Sequence, residues 1–403
     1  MSSLNIDKTD WKIVSLGDLA TEVSERVENP SKSRYERFVG LGNFVSGDIK
    51  IKSWESTNSL ASSAKAFKAG DILFARRNAY LRRASMVDFE GCCSGDAFVL
   101  RENLDKVIPG FLPFVMNSTS LWNYANANAA GTMSKRVKWR DLANYEFLLP
   151  PKDQQAELAE LLWATDTTNN SYIHVLSEFK GAYSALLNQF MINGSYKSKG
   201  ELVITKCGLL DSRILTVKLK DCISEKPMYG ANASSKTKEI SEPRYIRITD
   251  IDDDGCLIPT NQVSIDTSDY SEYLLKDGDF LFARTGNTVG KTLLFDSSIM
   301  DTSVFAGYLI RFRLNPTIMK PKFLFYFTKS LKYEAFKRRI IKTGAQPNIN
   351  SEEYQSMVLP KFSIKEQGNL IDKLDEISLN IENVKSKIHR SKELQKAIIN
   401  QIF

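Results

Sequence analysis

The strongest constraint on this chain is an internal duplication. GDILFAR at 70–76 returns as GDFLFAR at 278–284, a shift of 208 residues. VSLGD at 14–18 answers VKLKD at 217–221, and SGDI at 46–49 answers DGCL at 254–257. IPGFL at 108–112 answers KPKFL at 320–324, now shifted by 212. Each copy then reaches a glycine loop and a proline: GTMSKRVKW before Pro150, and GAQPNIN before Pro360. ALLNQF at 185–190 and AIINQI at 397–402 keep the shift of 212, as do Gln155 and Gln367. A fixed long period means one architecture used twice. A chain of 403 residues is also too long for one core. The expected organisation is a mixed domain at 1–150, a helix at 151–192, a linker at 193–213, a second mixed domain at 214–360 and a second helix at 361–403.

The segments after the two prolines carry helical periodicity. In the second, apolar residues recur at Leu370, Leu374, Ile377, Ile381, Val384 and Ile388, then at Ile398 and Ile402. Steps alternating between four and three make a heptad seam, interrupted at Ser391 and Gln395. The equivalent positions are Leu158, Leu162, Thr165, Asn169, Tyr172, Leu176, Phe179, Tyr183, Leu186 and Phe190, interrupted at Thr165 and Asn169. Parallel pairing in equivalent register would set Thr165 on Ile377 and Tyr183 on Gln395, burying polar groups against apolar ones. Antiparallel pairing instead sets Thr165 by Gln395, Asn169 by Ser391, Phe179 by Ile381 and Tyr183 by Ile377. Heptad slips leave the register open. The expected fold is α+β: two pseudo-symmetric mixed α/β domains separated by a long antiparallel two-helix coiled-coil spacer. A coiled-coil dimerisation arm is the other use for such helices. Their presence in one chain, position matched to position, favours the intramolecular spacer.

ARTGNTVGKT at 283–292 invites comparison with the phosphate-binding loop G-x-x-x-x-G-K-[ST]. Gly290, Lys291 and Thr292 fit its tail. The first glycine, however, is Gly286, and Thr285 stands where it is needed. The following LLFDSSIM reads as a strand, so no helix N-terminus faces a phosphate. The equivalent loop, ARRNAYLRRA at 75–84, has no glycine. What the two loops share is an arginine directly after a strand (Arg76, Arg284) and a base seven residues on (Arg83, Lys291). The first loop adds Arg77, Asn78, Tyr80 and Arg82, and the second adds Thr285, Asn287 and Thr288. The second glycine loop of each copy contributes Lys135, Arg136 and Lys138, or Lys342, Gln346 and Asn348. Arginine, asparagine and threonine read base edges, and lysine and arginine hold phosphates. A solvated turn would explain either loop alone. Two equivalent loops in a duplicated chain point to nucleic acid. FLFYFTKSLKYEAFKRRIIKTG precedes the second glycine loop and reads as a helix with an apolar and a basic side. Its counterpart, FLPFVMNSTSLWNYANANAAG, is uncharged, so the copies are not expected to bind the same sequence.

Composition removes other classes. Hydrophobic content of 42% and charged content of 25% describe a soluble globular protein. No run of 18 apolar residues appears and the N-terminus lacks a signal-peptide core, so a cytoplasmic protein without membrane contact is expected. A net charge of +6 permits a nucleic-acid partner. Five cysteines without a Cys-x-x-Cys spacing argue against a disulfide framework or a zinc site. The two histidines, His174 and His389, exclude a histidine-rich metal centre, and neither lies near a nucleophile elbow.

The G-D-[IF]-L-F-A-R segments, the GAQPNIN segment, the proline-to-helix junctions and the endings LLNQF and IINQI resemble the specificity (S) subunit of type I restriction–modification systems. The resemblance covers nearly the whole chain. It implies that each mixed domain is a target recognition domain reading one half of a split, asymmetric site in double-stranded DNA. It implies that the helices set the half-site spacing and dock two modification (methyltransferase) subunits, an assembly that restriction subunits can join. The basic loops above match the family's DNA-facing regions, although ARRNAYLRRA departs from the glycine-containing form. The chain lacks the N/D-P-P-Y/F tetrapeptide, an F-x-G-x-G loop and Walker pairs. No enzymatic activity and no cofactor are therefore expected in it, and S-adenosylmethionine is expected in the methyltransferase partner. The competing reading is a non-enzymatic protein–protein scaffold with a coiled-coil arm and no direct DNA readout.

Overall fold

The computed structural model describes residues 6–196, 200–341 and 347–403. It divides into two compact units, Met1–Val175 with Val384–Phe403, and Leu176–Asn383. The two long helices, Lys152–Asn193 and Ile364–Ile402, are shared out between them. Each unit thus holds the start of one helix and the end of the other. Among the described residues no helix is long and apolar enough to cross a membrane.

Each unit is built on a four-stranded antiparallel sheet of the same order. In the first unit it runs Ala20–Val23, Ala97–Glu102, Ile72–Ala75, Ala84–Met86. In the second it runs Met228–Tyr229, Leu309–Phe312, Phe280–Ala283, Thr292–Leu294. The continuous apolar runs ILFA and FLFA are central strands buried on both faces. Alternation sends Ile72 and Phe74 into one core and Leu73 into another. Phe280 and Phe282, against Leu281 and Ala283, do the same in the second unit. A parallel pair also recurs, Arg37–Val39 with Gly91–Cys93 and Arg244–Ile246 with Ser303–Phe305.

The Gly-Asp that opens each repeated segment is structural. Gly70 and Gly278 are left-handed, with φ of +90° and +79°. The next residue, Asp71 or Asp279, turns its carboxylate inward. It accepts the main-chain N–H of Lys68 or Lys276 and a bidentate pair from Arg101 or Arg313. Both aspartates are 1% exposed, and this double use satisfies their carboxylates.

Two further repeated residues act as rivets. Gln155 accepts the Ile108 N–H and donates to the Pro150 carbonyl, fixing the start of the first long helix. Gln367 accepts the Lys320 N–H and donates to the Ile318 and Phe362 carbonyls. At the other end, Asn400 of IINQI accepts the Thr119 N–H at the start of helix Thr119–Ala127. Asn188 of LLNQF accepts the Leu331 N–H at the start of Leu331–Ile340. Each relieves an orphan donor of a helix N-terminus. Each mixed domain is therefore finished by the last turns of the helix belonging to the other copy.

In the first unit the two helix segments run antiparallel. Leu162 shares a core with Ile398, Ile399 and Ile402, with Leu158 at its edge. Lys387 stands over the Tyr172 ring at 6.0 Å. Val384 is buried, and Ile388 is half-buried. The polar partners differ from the expected ones. Asn169 donates to Gln395 at 3.0 Å, both side chains being buried, and does not meet Ser391 in any described bond. Thr165 turns its hydroxyl back to the Leu162 carbonyl of its own helix. A short Thr side chain satisfies itself locally, and the longer Gln reaches one turn further. In the second unit Leu187 and Met191 pack with Leu370, Ile371 and Leu374, with Tyr183 and Leu186 partly buried beside them. Leu176, Phe179, Ile377 and Ile381 are half-buried. Within the stretch read as linker, Leu202–Thr205 and Gly208–Asp211 form a hairpin.

Candidate nucleic-acid interface

The two loops singled out in each copy meet. In the first unit the Arg76 carbonyl accepts the Val137 N–H, the Lys135 carbonyl accepts the Asn78 N–H, and a β-bridge joins Arg77 to Arg136. In the second the Arg284 carbonyl accepts the Ile349 N–H, the Pro347 carbonyl accepts the Gly286 N–H, and a bridge joins Thr285 to Asn348. Every pairing is the same under the shifts of 208 and 212. A third chain segment closes the platform, since the N–H of Arg76 donates to the Asp96 carbonyl and that of Arg284 to the Tyr308 carbonyl.

The glycines of ARTGNTVGKT have a different purpose from holding a phosphate. Gly286 and Gly290 are left-handed, with φ of +71° and +83°. Their equivalents, Asn78 and Arg82, are left-handed too, with φ of +54° and +49°. The first loop thus keeps the conformation without the glycines, at a strain of about 1–3 kcal/mol per residue. Thr292 opens a buried strand, as the sequence pattern implies, and no helix follows.

No protein-family model matches the chain, and no curated protein sequence does. Solved structures do match. One is the type I restriction–modification system S subunit from M. genitalium, at 13% identity, a TM-score of 0.57, and coverage of 100% of this chain and 99% of that one. Another comes from work on complex assembly and conformational transition of the type I R-M system, at 20% identity, a TM-score of 0.58 and 97% coverage of both chains. The chain has the fold of a type I specificity subunit.

Within that S-subunit fold the side chains on the two platforms differ sharply. In the first unit Asp96 gathers three arginines. Arg136 binds it with Nε at 2.8 Å and Nη2 at 3.2 Å. Arg77 Nη1 lies 3.7 Å away and Arg76 Nε 3.9 Å away. Hydrogen bonding from Arg136 holds the Asp96 carboxyl below its usual range. Arg77 also donates to Ser134, and Arg76 stands over Phe98. Tyr80, Lys135 and Lys138 are exposed, and Arg82 is half-exposed. In the second unit no acid faces Arg284 among the described residues. It stands over the Tyr229 ring at 5.0 Å, and its Nε is buried without a partner. Asn287 and Asn348 are exposed, and Thr288 donates to the Thr285 carbonyl. Lys342 and Gln346 lie outside the described residues.

The base seven residues on serves the scaffold in both copies. Arg83 donates to the Leu41 and Arg77 carbonyls, and burial pulls its pKa down. Lys291 donates to the Ile251 carbonyl and pairs with Asp253 at 2.9 Å. The basic helix is partly committed too. Lys332 donates to the Cys207 and Leu209 carbonyls and Arg339 to that of Lys206, clamping the hairpin, while Arg338 is exposed. Asp96, Tyr229 and Tyr308 escaped sequence reasoning because nothing local marks them. The one available signal was the shift itself, which sets Asp96 opposite Tyr308.

Proposed function

We propose that the chain is the DNA-specificity subunit of a type I restriction–modification complex. Each unit reads one half of a split, asymmetric duplex site. The two helices set the half-site spacing and dock two modification subunits, which carry S-adenosylmethionine and the methyl transfer; restriction subunits complete the nuclease form. The chain itself contributes recognition and no catalysis. The observation that carries this reading is the doubled platform: two loops, joined by the same main-chain bonds in both units, presenting arginine, asparagine, threonine and lysine. That inventory suits base edges and phosphates together. The solved S-subunit fold supports it.

The test is methylome sequencing of cells expressing the chain with its methyltransferase. A split motif is expected, and a contiguous one would overturn the reading. Removing one heptad from both helices should shorten the spacing by roughly three base pairs, given ~1.5 Å per helical residue and ~3.4 Å per pair. Binding of the complex to duplex should fall steeply with added salt. A salt-insensitive complex would favour the scaffold reading.

A further inference from the structure

The platform of the first unit holds an arrangement that the second has exchanged as a set. Where the first has Arg77, Arg136 and Asp96, the second has Thr285, Asn348 and Tyr308, at equivalent main-chain positions. The arginine after the strand is kept in both. So the acid is present where the two extra arginines are present, and absent where they are absent. A lone acid at a DNA-facing surface would oppose the phosphates. Its retention beside these arginines calls for a use.

The geometry supplies one. The main chain of Arg136 is held on both sides, bridged to Ala130 and to Arg77. Its side chain is then held by Asp96 through Nε and Nη2. That is the side-on edge of the guanidinium. The end-on edge, Nη1 with the second N–H of Nη2, is left unused, and the side chain is 42% exposed. Two parallel donors on a fixed plane match the O6 and N7 acceptors of guanine in the major groove. An unheld arginine would sample rotamers and settle on phosphates, which carry no sequence information.

We propose that Asp96 is a positioning residue that fixes Arg136 so that its outer Nη1/Nη2 edge reads a guanine in the half-site of the first unit. This rests on the DNA-reading function proposed above and adds the base and the residue pair. Asp96 itself touches no DNA. It sets discrimination, while its charge slightly weakens overall affinity.

Those two effects have opposite signs, and that makes the test decisive. The full chain, in complex with its methyltransferase subunits, is offered a duplex pool randomised in both halves. The wild type should select a guanine in one half, and replacing it should cost on the order of 10- to 100-fold in affinity. Asp96→Asn should flatten the preference at that one base pair and leave the other half intact. It should bind scrambled duplex as tightly as the wild type or more tightly. Arg136→Lys keeps the charge and loses the fork, so it should flatten the same position. If Asp96→Asn strengthens binding to all duplexes with selection unchanged, Asp96 only offsets charge and the proposal fails. Retention of the guanine by Arg136→Lys, or a wild-type half-site without guanine, also overturns it. Should Asp96→Asn lose selection in both halves, it has misfolded and Arg136→Lys decides. A wild-type complex with no split preference at all would instead remove the parent function.

Discussion

The two loop platforms share a main chain and differ in nearly every side chain. In the first unit three arginines converge on Asp96; in the second Arg284 lies against Tyr229 with no described acid near it. Main-chain hydrogen bonds are indifferent to side-chain identity, so a duplicated scaffold can persist while its surface chemistry is replaced. The replacement is not piecemeal. Charge balance ties Asp96 to its arginines, because a half-buried acid without them would carry an uncompensated desolvation cost. The left-handed positions teach the same lesson from the backbone side: Gly286 and Gly290 in one copy, Asn78 and Arg82 in the other, hold one loop shape with different residues.

The largest effects should come from what the copies share. Asp71→Ala and Asp279→Ala each remove a turn bond and a bidentate arginine pair. Each should cost about 2–3 kcal/mol in denaturant unfolding, below the figure for a fully buried pair because Arg101 and Arg313 retain some solvent contact. Loss of only a few tenths in one copy would break the idea of a common scaffold. Next, Arg284→Ala should weaken duplex binding by roughly tenfold or more and relax only its own half-site. Arg76→Ala should do less, since Asp96 already lies near its charge; equal losses in a binding titration would deny that difference. Gly290→Ala forces a left-handed alanine whose Cβ would run into the Lys337 side chain at Cδ, and should destabilise by about 1–2 kcal/mol. Arg82→Gly at the equivalent position should stabilise by up to about 1 kcal/mol while losing a cation. Opposite signs in thermal unfolding are the expected result, and matching signs would mean the loops are not equivalent. The smallest effect is expected from Tyr308→Asp, which imports the acid without its arginines. Binding at the second half-site should fall by roughly two- to threefold. No change would show that position 308 does not face the duplex.

Much of this was legible in the residues. The repeated G-D-x-L-F-A-R located both central strands because buried strands read as continuous apolar runs. The short first half of ARTGNTVGKT and the strand after it ruled out a phosphate loop before any fold was known. The basic residues of the two loops in each copy were found by type alone. What they contact was not. Arg83 and Lys291 look like surface cations in the sequence, yet both are spent on main-chain carbonyls. Gln155, Gln367, Asn188 and Asn400 stood out as repeats without a stated role, and their bonds to distant main chain supply it.

The sequence alone determined the duplication, the strand cores, the helical seams and the two loops that carry the cations. These are local or periodic features, written in the spacing of apolar residues and in turn chemistry. Tertiary structure decided the rest. It chose Asn169 and Gln395 as partners over the pairing drawn from heptad positions, because Thr165 could satisfy itself on its own helix. It completed each mixed domain with the helix end of the other copy. It brought Asp96 to Arg136, 40 residues along the chain. Such pairings depend on how surfaces meet after the chain has folded back, and no local pattern of residues encodes that meeting.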